Sequence, residues 1–293
     1  MIKREYIVYQ QDVNLYPPCF VVYCAPMGIV ADFVDPVLFS LGSLNIYTYG
    51  FFMATAFMVT HKLMEIEFKR LDIDVDTGHI LMGAVVGGIV GAKLHYVLTW
   101  DVEGLFDIHT GLSFQGGLLG GALLVCAYVK YAGWQVNRVT DTLACMMPLG
   151  HAIGKLGCFF SGDGCYGGPT KMPWGMSFPN GLVPTRQFVH PSPLYEFAVG
   201  IGLFTYFWIH RDDRSPRLPF DNFTQVLAAM SLSRVIIELW RDHAVVIPLG
   251  PLGGLNQYQI FALVVTAGIW LIRKVLLERW WAQSTATKSK KKQ

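Results

Sequence analysis

H-A-I-G-K-L-G-C-F-F-S-G-D-G-C-Y-G, His151 to Gly167, begins as an apolar helix carrying His151 and Lys155 and breaks into a glycine-rich turn. A polar loop then leads to H-P-S-P-L-Y-E, His190 to Glu196, where the next apolar run opens. Charges, glycines and histidine crowd where a hydrophobic segment meets water. Polar groups are costly at membrane depth, so such a cluster marks a site by default. The rest of the chain points to the same medium. Of 293 residues, 53% are hydrophobic and 15% charged, against about 25% charged in a soluble domain, and the mean hydropathy is +0.38.

A span needs about 20 mostly apolar residues. Seven candidates emerge: 44–64, 80–99, 112–131, 139–160, 192–210, 222–240 and 258–277. The expectation is an all-α, polytopic membrane protein of about seven transmembrane helices, forming one domain over residues 44–280 with an outer (periplasmic) loop at about 161–191. Residues 1–43 are mixed and read as a periplasmic or interfacial segment. Within them, D-P-V-L-F-S-L (Asp35 to Leu41) is expected along the interface or packed on the first span. No apolar run precedes Cys19, so no cleavable signal peptide is expected. Residues 281–293, with Lys288, Lys290, Lys291 and Lys292, read as a disordered basic tail near anionic lipid.

Loop charge sets the orientation. Lys69 and Arg70, Lys130 and Arg138, and Arg211, Arg214 and Arg217 follow spans one, three and five, while residues 100–111 carry no lysine or arginine. The N-terminus is therefore expected outside and the C-terminus in the cytoplasm, with only Lys3 and Arg4 disagreeing. That topology brings Tyr49, Lys93, Gln115, His151, Lys155, His190, Tyr195, Glu196, Arg234 and Glu238 to one leaflet. The net charge of +2 is too small to argue for a nucleic-acid partner.

Each feature has a plain reading beside the functional one. Arg234 and Glu238, four apart on one helix face, suit a salt bridge that locks two helices. The glycines at 87, 88, 91, 116, 117, 120 and 121 suit close helix packing. Cys126 and Cys145 lie in apolar runs as packing residues. Cys158 and Cys165 flank the glycine turn and could bond or bind metal, but no His/Cys cluster has ligand spacing, so neither a metal nor another cofactor is expected. Three cations at one depth, Lys93, Lys155 and Arg234, are harder to assign to packing and suit an anion, most naturally a phospholipid phosphate.

The chain resembles the prolipoprotein diacylglyceryl transferase family over most of its length. The motifs that carry the resemblance are D-P-V-L-F-S-L-G with Tyr49 and Gly50, G-A-K-L-H-Y-V-L from Gly91 and S-F-Q-G-G-L-L-G from Ser113. They continue with G-K-L-G-C-F from Gly154, H-P-S-P-L-Y-E from His190 and S-R-V-I-I-E-L-W-R from Ser233. The resemblance implies a multi-pass enzyme of the bacterial inner membrane. It would transfer the diacylglyceryl group of phosphatidylglycerol to the lipobox cysteine thiol of a prolipoprotein and release glycerol phosphate.

Carried over residue by residue, Tyr49, Gly167, Arg234 and Glu238 match family positions in kind. The signature arginine falls on Lys155, its asparagine on Cys158 and its acidic residue on Asp163, while an arginine of span two falls on Lys93. The histidine usual in the third motif is Gln115, which cannot act as a general base near neutral pH. His151, facing the same side as Lys155, is the expected replacement, with His95 and His190 as rivals. Lys155 and Arg234 would hold the phosphate, Glu238 would orient Arg234, and Tyr49 or Gln115 would position the headgroup. His190, Tyr195, Glu196, Lys93, Cys158 and Gly167 are expected around the substrate. The substitutions leave open a divergent relative acting on another acceptor, or a non-catalytic lipid-binding membrane protein.

Overall fold

Glycines decide how the second and third helices meet. In the computed structural model, which describes residues 28–42, 44–100, 113–212, 218–241, 245–248 and 254–290, helix α2 (Thr77–Trp100) lies along α3 (Phe114–Tyr131). A Cβ added at Gly87 would strike the carbonyl oxygen of Gly120, and one at Gly91 that of Gly116. Backbones this close exclude any larger residue, so the packing reading of these glycines holds.

The other helices are α1 (Thr48–Arg70), α4 (Val136–Ala144), α5 (Met147–Ser161), α6 (Ser192–Ile209), α7 (Asp221–Ile237) with a 3₁₀ turn at Glu238–Trp240, and α8 (Gln257–Lys290). The span expected at 139–160 is broken: α4 and α5 meet at 47°. Pro148 lies in the first turn of α5, where its missing N–H and its ring forbid a continuous helix through Ala144. Among the described residues, three helical segments, Thr77–Thr99, Asp221–Trp240 and Gln257–Val275, are long and apolar enough to cross a membrane, and the bent α4–α5 pair makes a fourth if it is one span. Met82 and Leu98 of α2, Leu232 and Ile236 of α7, and Phe261 and Val264 of α8 are all exposed.

The expectation of an all-α chain needs correction. Short strands β1 (Ile29–Val30), β2 (Val37–Leu41), β3 (Leu44–Tyr47), β4 (Met176–Phe178), β5 (Thr185–Val189), β6 (Val245–Pro248) and β7 (Gly254–Asn256) form three small sheets. β1–β3 precede α1 and the others lie between helices, where backbone groups lack intrahelical partners and must pair otherwise. Residues 37–41 of the 35–41 segment are thus a strand of a β2–β3 hairpin turning at Gly42 (φ 62°), and the first helix begins at Thr48 rather than 44. β1 pairs parallel with β4, and β4 antiparallel with β5, over a small core of Ala31, Val34, Phe159, Phe178 and Val189. Helix α8 runs on to Lys290, through residues expected to be a disordered tail, because extending an existing helix adds a hydrogen bond for each residue fixed. The expected readings of residues 1–27, of the linker at 101–112, and of Arg214, Arg217, Lys291 and Lys292 lie outside the described residues.

Charges are balanced where α1 and α6 end. Buried Glu67 pairs with Arg70 and with Arg211 (3.3 Å), and Arg70 also reaches Asp212 (2.9 Å). At the start of α7, Asp221 pairs with Arg273 of α8 (2.6 Å).

Candidate functional site

Near the start of α6, at the opposite end from those pairs, Glu196 is 3% exposed and collects charge from three other elements. Its Oε2 faces Lys155 Nζ (2.9 Å) and His151 Nε2 (3.2 Å), both from α5. Its Oε1 accepts from Arg234 Nη1 of α7 (3.0 Å) and from Arg241 Nη2 just beyond the 3₁₀ turn (2.7 Å). The four-residue step from His151 to Lys155 puts both on one helix face. Arg234 lies in the last turn of α7, where the helix dipole favours a cation.

Arg234 is shared. Its Nη2 pairs with Glu238 Oε2 (3.0 Å), and its guanidinium lies 5.7 Å from the Tyr258 ring. Buried Glu238 also accepts from Asn256 Nδ2 (3.3 Å), and Asn256 is held in turn by Gln259, whose Nε2 reaches the Val235 carbonyl (3.3 Å). The Arg234–Glu238 pair stays within α7 and its 3₁₀ turn, and it is the Asn256–Glu238 and Gln259–Val235 bonds that tie this end of α7 to the start of α8. Arg234 meanwhile remains on Glu196. Within the network, Lys155, Arg234 and Arg241 face Glu196 and Glu238, so one positive charge is left over before His151 is counted. An arrangement of this kind receives an anion.

The glycine turn closes over this cluster. Gly162 caps α5 in the left-handed region (φ 61°), and the chain folds back so that the Asp163 N–H reaches the Cys158 carbonyl (3.4 Å). Asp163 Oδ1 accepts from the Cys165 N–H (3.0 Å), and the Cys165 carbonyl accepts from Arg241 Nη2 (3.1 Å). The ligand atoms of Cys158, Asp163 and Cys165 all lie within 4.8 Å of one another. That tertiary grouping was not readable as spacing. Gly167 is wedged where an added Cβ would meet the Trp240 carbonyl and, at 2.7 Å each, His190 Cβ and Ser192 Oγ. Its smallness serves packing.

His190 and Tyr195 form a separate set beside the loop. His190 Nδ1 is 3.1 Å from the Tyr195 hydroxyl, which accepts from Trp174 Nε1 (2.9 Å). Burial lowers the His190 pKa below its ordinary value, favouring the uncharged ring. Tyr49, at the start of α1, packs on α5, since a Cβ at Gly157 would lie 3.4 Å from its ring. Lys93 is half-buried on α2, and Gln115 is exposed in the first turn of α3, where Ser113 Oγ donates to its Oε1 (3.1 Å). Neither belongs to the four partners of Glu196.

Arg241 and Asn256 are the residues sequence reasoning left out of the site. Arg241 had a signal, lying three residues after Glu238 on the Arg234 face. Asn256 had none, because only the tertiary fold brings it to Glu238.

The family model described as prolipoprotein diacylglyceryl transferase matches residues 36–274. A phosphatidylglycerol–prolipoprotein diacylglyceryl transferase of Clostridium tetani is 30% identical over 243 residues, covering 78% of this chain and 93% of its own. A protein of the same name from Legionella pneumophila is 30% identical over 263 residues, covering 85% and 97%. One from Coxiella burnetii is 32% identical over 222 residues, covering 71% and 82%. With the match running from the β2–β3 hairpin into α8, and so across every element that builds the Glu196 cluster, this chain belongs to the prolipoprotein diacylglyceryl transferase family.

Proposed function

We propose that this chain is a transferase that moves the diacylglyceryl group of phosphatidylglycerol onto the lipobox cysteine thiol of prolipoproteins, releasing glycerol phosphate and leaving a thioether. The observation that carries the reading is the Glu196 cluster, whose surplus positive charge suits the single negative charge of a phosphodiester. Lys155, Arg234 and Arg241 receive the phosphate and stabilise charge on the departing glycerol phosphate. Lys155 does so as a point charge, without the fork of a guanidinium. Glu196 and Glu238 position those cations.

His151, oriented by Glu196, takes the thiol proton, a role Gln115 cannot fill. Tyr49, Lys93 and Gln115 line the approach of the headgroup. Asp163, Cys158, Gly167, His190 and Tyr195 shape the loop above it. About seven spans, with the N-terminus outside and the C-terminus in the cytoplasm, would set the cluster at the outer leaflet of the bacterial inner membrane, where both substrates arrive.

The test uses purified protein, phosphatidylglycerol and a lipobox peptide, read by mass spectrometry. The expected result is a diacylglyceryl increment on the peptide thiol that is lost in Arg234→Ala. No increment, with a working enzyme of the family run alongside, would overturn the reading.

A further inference from the structure

Cys158, Asp163 and Cys165 come from two sides of one turn, and their ligand atoms lie within 4.8 Å of one another. From this geometry we infer that they form a three-ligand zinc site whose open fourth position takes the acceptor thiol as a thiolate, an inference that rests on the transferase reading above.

The chemistry of the set is specific. Two thiols and a carboxylate match the borderline-soft preference of zinc, and three protein ligands with one open position distinguish a catalytic zinc from a closed structural one. With Zn–S near 2.3 Å, tetrahedral ligand atoms lie about 3.8 Å apart, a closure that side-chain rotation covers. The set is also braced. Asp163 Oδ1 accepts from the Cys165 N–H (3.0 Å), which fixes the carboxylate, and the left-handed cap at Gly162 fixes the turn. Hydrogen bonds of this kind orient metal ligands. Cys158 is buried, whereas Asp163 and Cys165 are half-buried, so the fourth position would open on the side of Asp163 and Cys165.

Placement relative to the anion site gives the zinc a task. Cys158 follows Lys155 by three residues on α5, and the Cys165 carbonyl is hydrogen-bonded to Arg241 (3.1 Å), which also holds Glu196. A thiol that coordinates zinc is deprotonated outright, which supplies what Gln115 cannot. In the step, the acceptor thiol binds the metal and its proton passes to His151. The thiolate sulfur then bonds to the glyceryl carbon as the bond from that carbon to the phosphate oxygen breaks. Glycerol phosphate leaves as a dianion, and the neutral thioether, a weak ligand, leaves the metal.

The experiment measures metal before activity. Purified protein, stripped with chelator under reductant, is loaded with zinc alone, dialysed and assayed for metal. One zinc per chain is expected, falling at least tenfold in the Cys158→Ser/Cys165→Ser double variant and in Asp163→Asn. Cobalt alone then serves as a spectroscopic probe of the wild-type protein, which keeps the test independent of variant folding. Thiolate-to-cobalt absorption is expected, with a further change on adding a lipobox peptide and none with its serine analogue. Failure to bind either metal, a Cys158–Cys165 disulfide that excludes them, or a cobalt spectrum indifferent to the peptide overturns the site. Full transfer by metal-free protein overturns it while leaving the transferase standing. Zinc and peptide binding without any transfer to the peptide instead removes the transferase reading.

Discussion

Four partners on one buried carboxylate make Glu196 the most consequential single residue in the fold. Replacing it with alanine leaves Lys155, Arg234 and Arg241 without their shared counter-charge, and breaking a buried pair costs about 3–5 kcal/mol. A lower midpoint in thermal unfolding of Glu196→Ala in detergent is the expected outcome. His151 is different in kind, being held by Glu196 without supporting anything. His151→Ala should leave the unfolding midpoint near wild type and lower kcat by about 10²- to 10⁴-fold, the range for a lost general base, with KM for lipid little changed. Rates of peptide modification at several lipid concentrations check both parts. At this scale the sequence was partly legible. The step from His151 to Lys155 and that from Arg234 to Glu238 were readable as shared helix faces. That His151, Lys155 and Arg234 converge on Glu196 was not, because the contact from Glu196 to His151 spans 45 residues and no periodicity encodes it.

Among the elements, the α2–α3 contact and the α4–α5 break show what local pattern does and does not reveal. The glycines on both helices announced close packing, and the carbonyl of Gly120 stands where a Cβ of residue 87 would go. Gly87→Val should therefore force the helices apart and destabilise by about 1–3 kcal/mol, seen as a reduced unfolding midpoint with the Arg234 network intact. Pro148 was an equal signal of the break, but the mostly apolar stretch 139–160 was read as one span through it. The β2–β3 hairpin was hidden for a related reason. V-L-F-S-L is apolar enough to be taken for interfacial structure, and only the left-handed turn at Gly42 shows that it doubles back.

Across the whole molecule, the two ends differ in charge balance. Glu67 and Asp212 answer Arg70 and Arg211 where α1 and α6 finish, whereas the Glu196 end keeps a surplus. On the proposed orientation, the end that carries Arg70 and Arg211 lies in the cytoplasm. A fluorescent protein fused after Gln293 should be bright, since it folds on that side. A periplasmic reporter enzyme at the same junction should be inactive. The apolar, mostly helical character of the chain was the feature most legible from composition. The division of labour between the ends was not, because a salt bridge and an anion site use the same residue types and differ only in what is left unbalanced.

That imbalance bears on turnover. A surplus of one positive charge matches a phosphodiester, but the glycerol phosphate that departs carries close to two negative charges. The cluster then grips its product more tightly than its substrate. Product escape, rather than bond-making, would set the pace, and free glycerol phosphate should inhibit competitively against phosphatidylglycerol at concentrations where uncharged glycerol does nothing. Raising ionic strength should relieve that inhibition and raise kcat before it harms KM, a pattern readable in initial rates across a salt series.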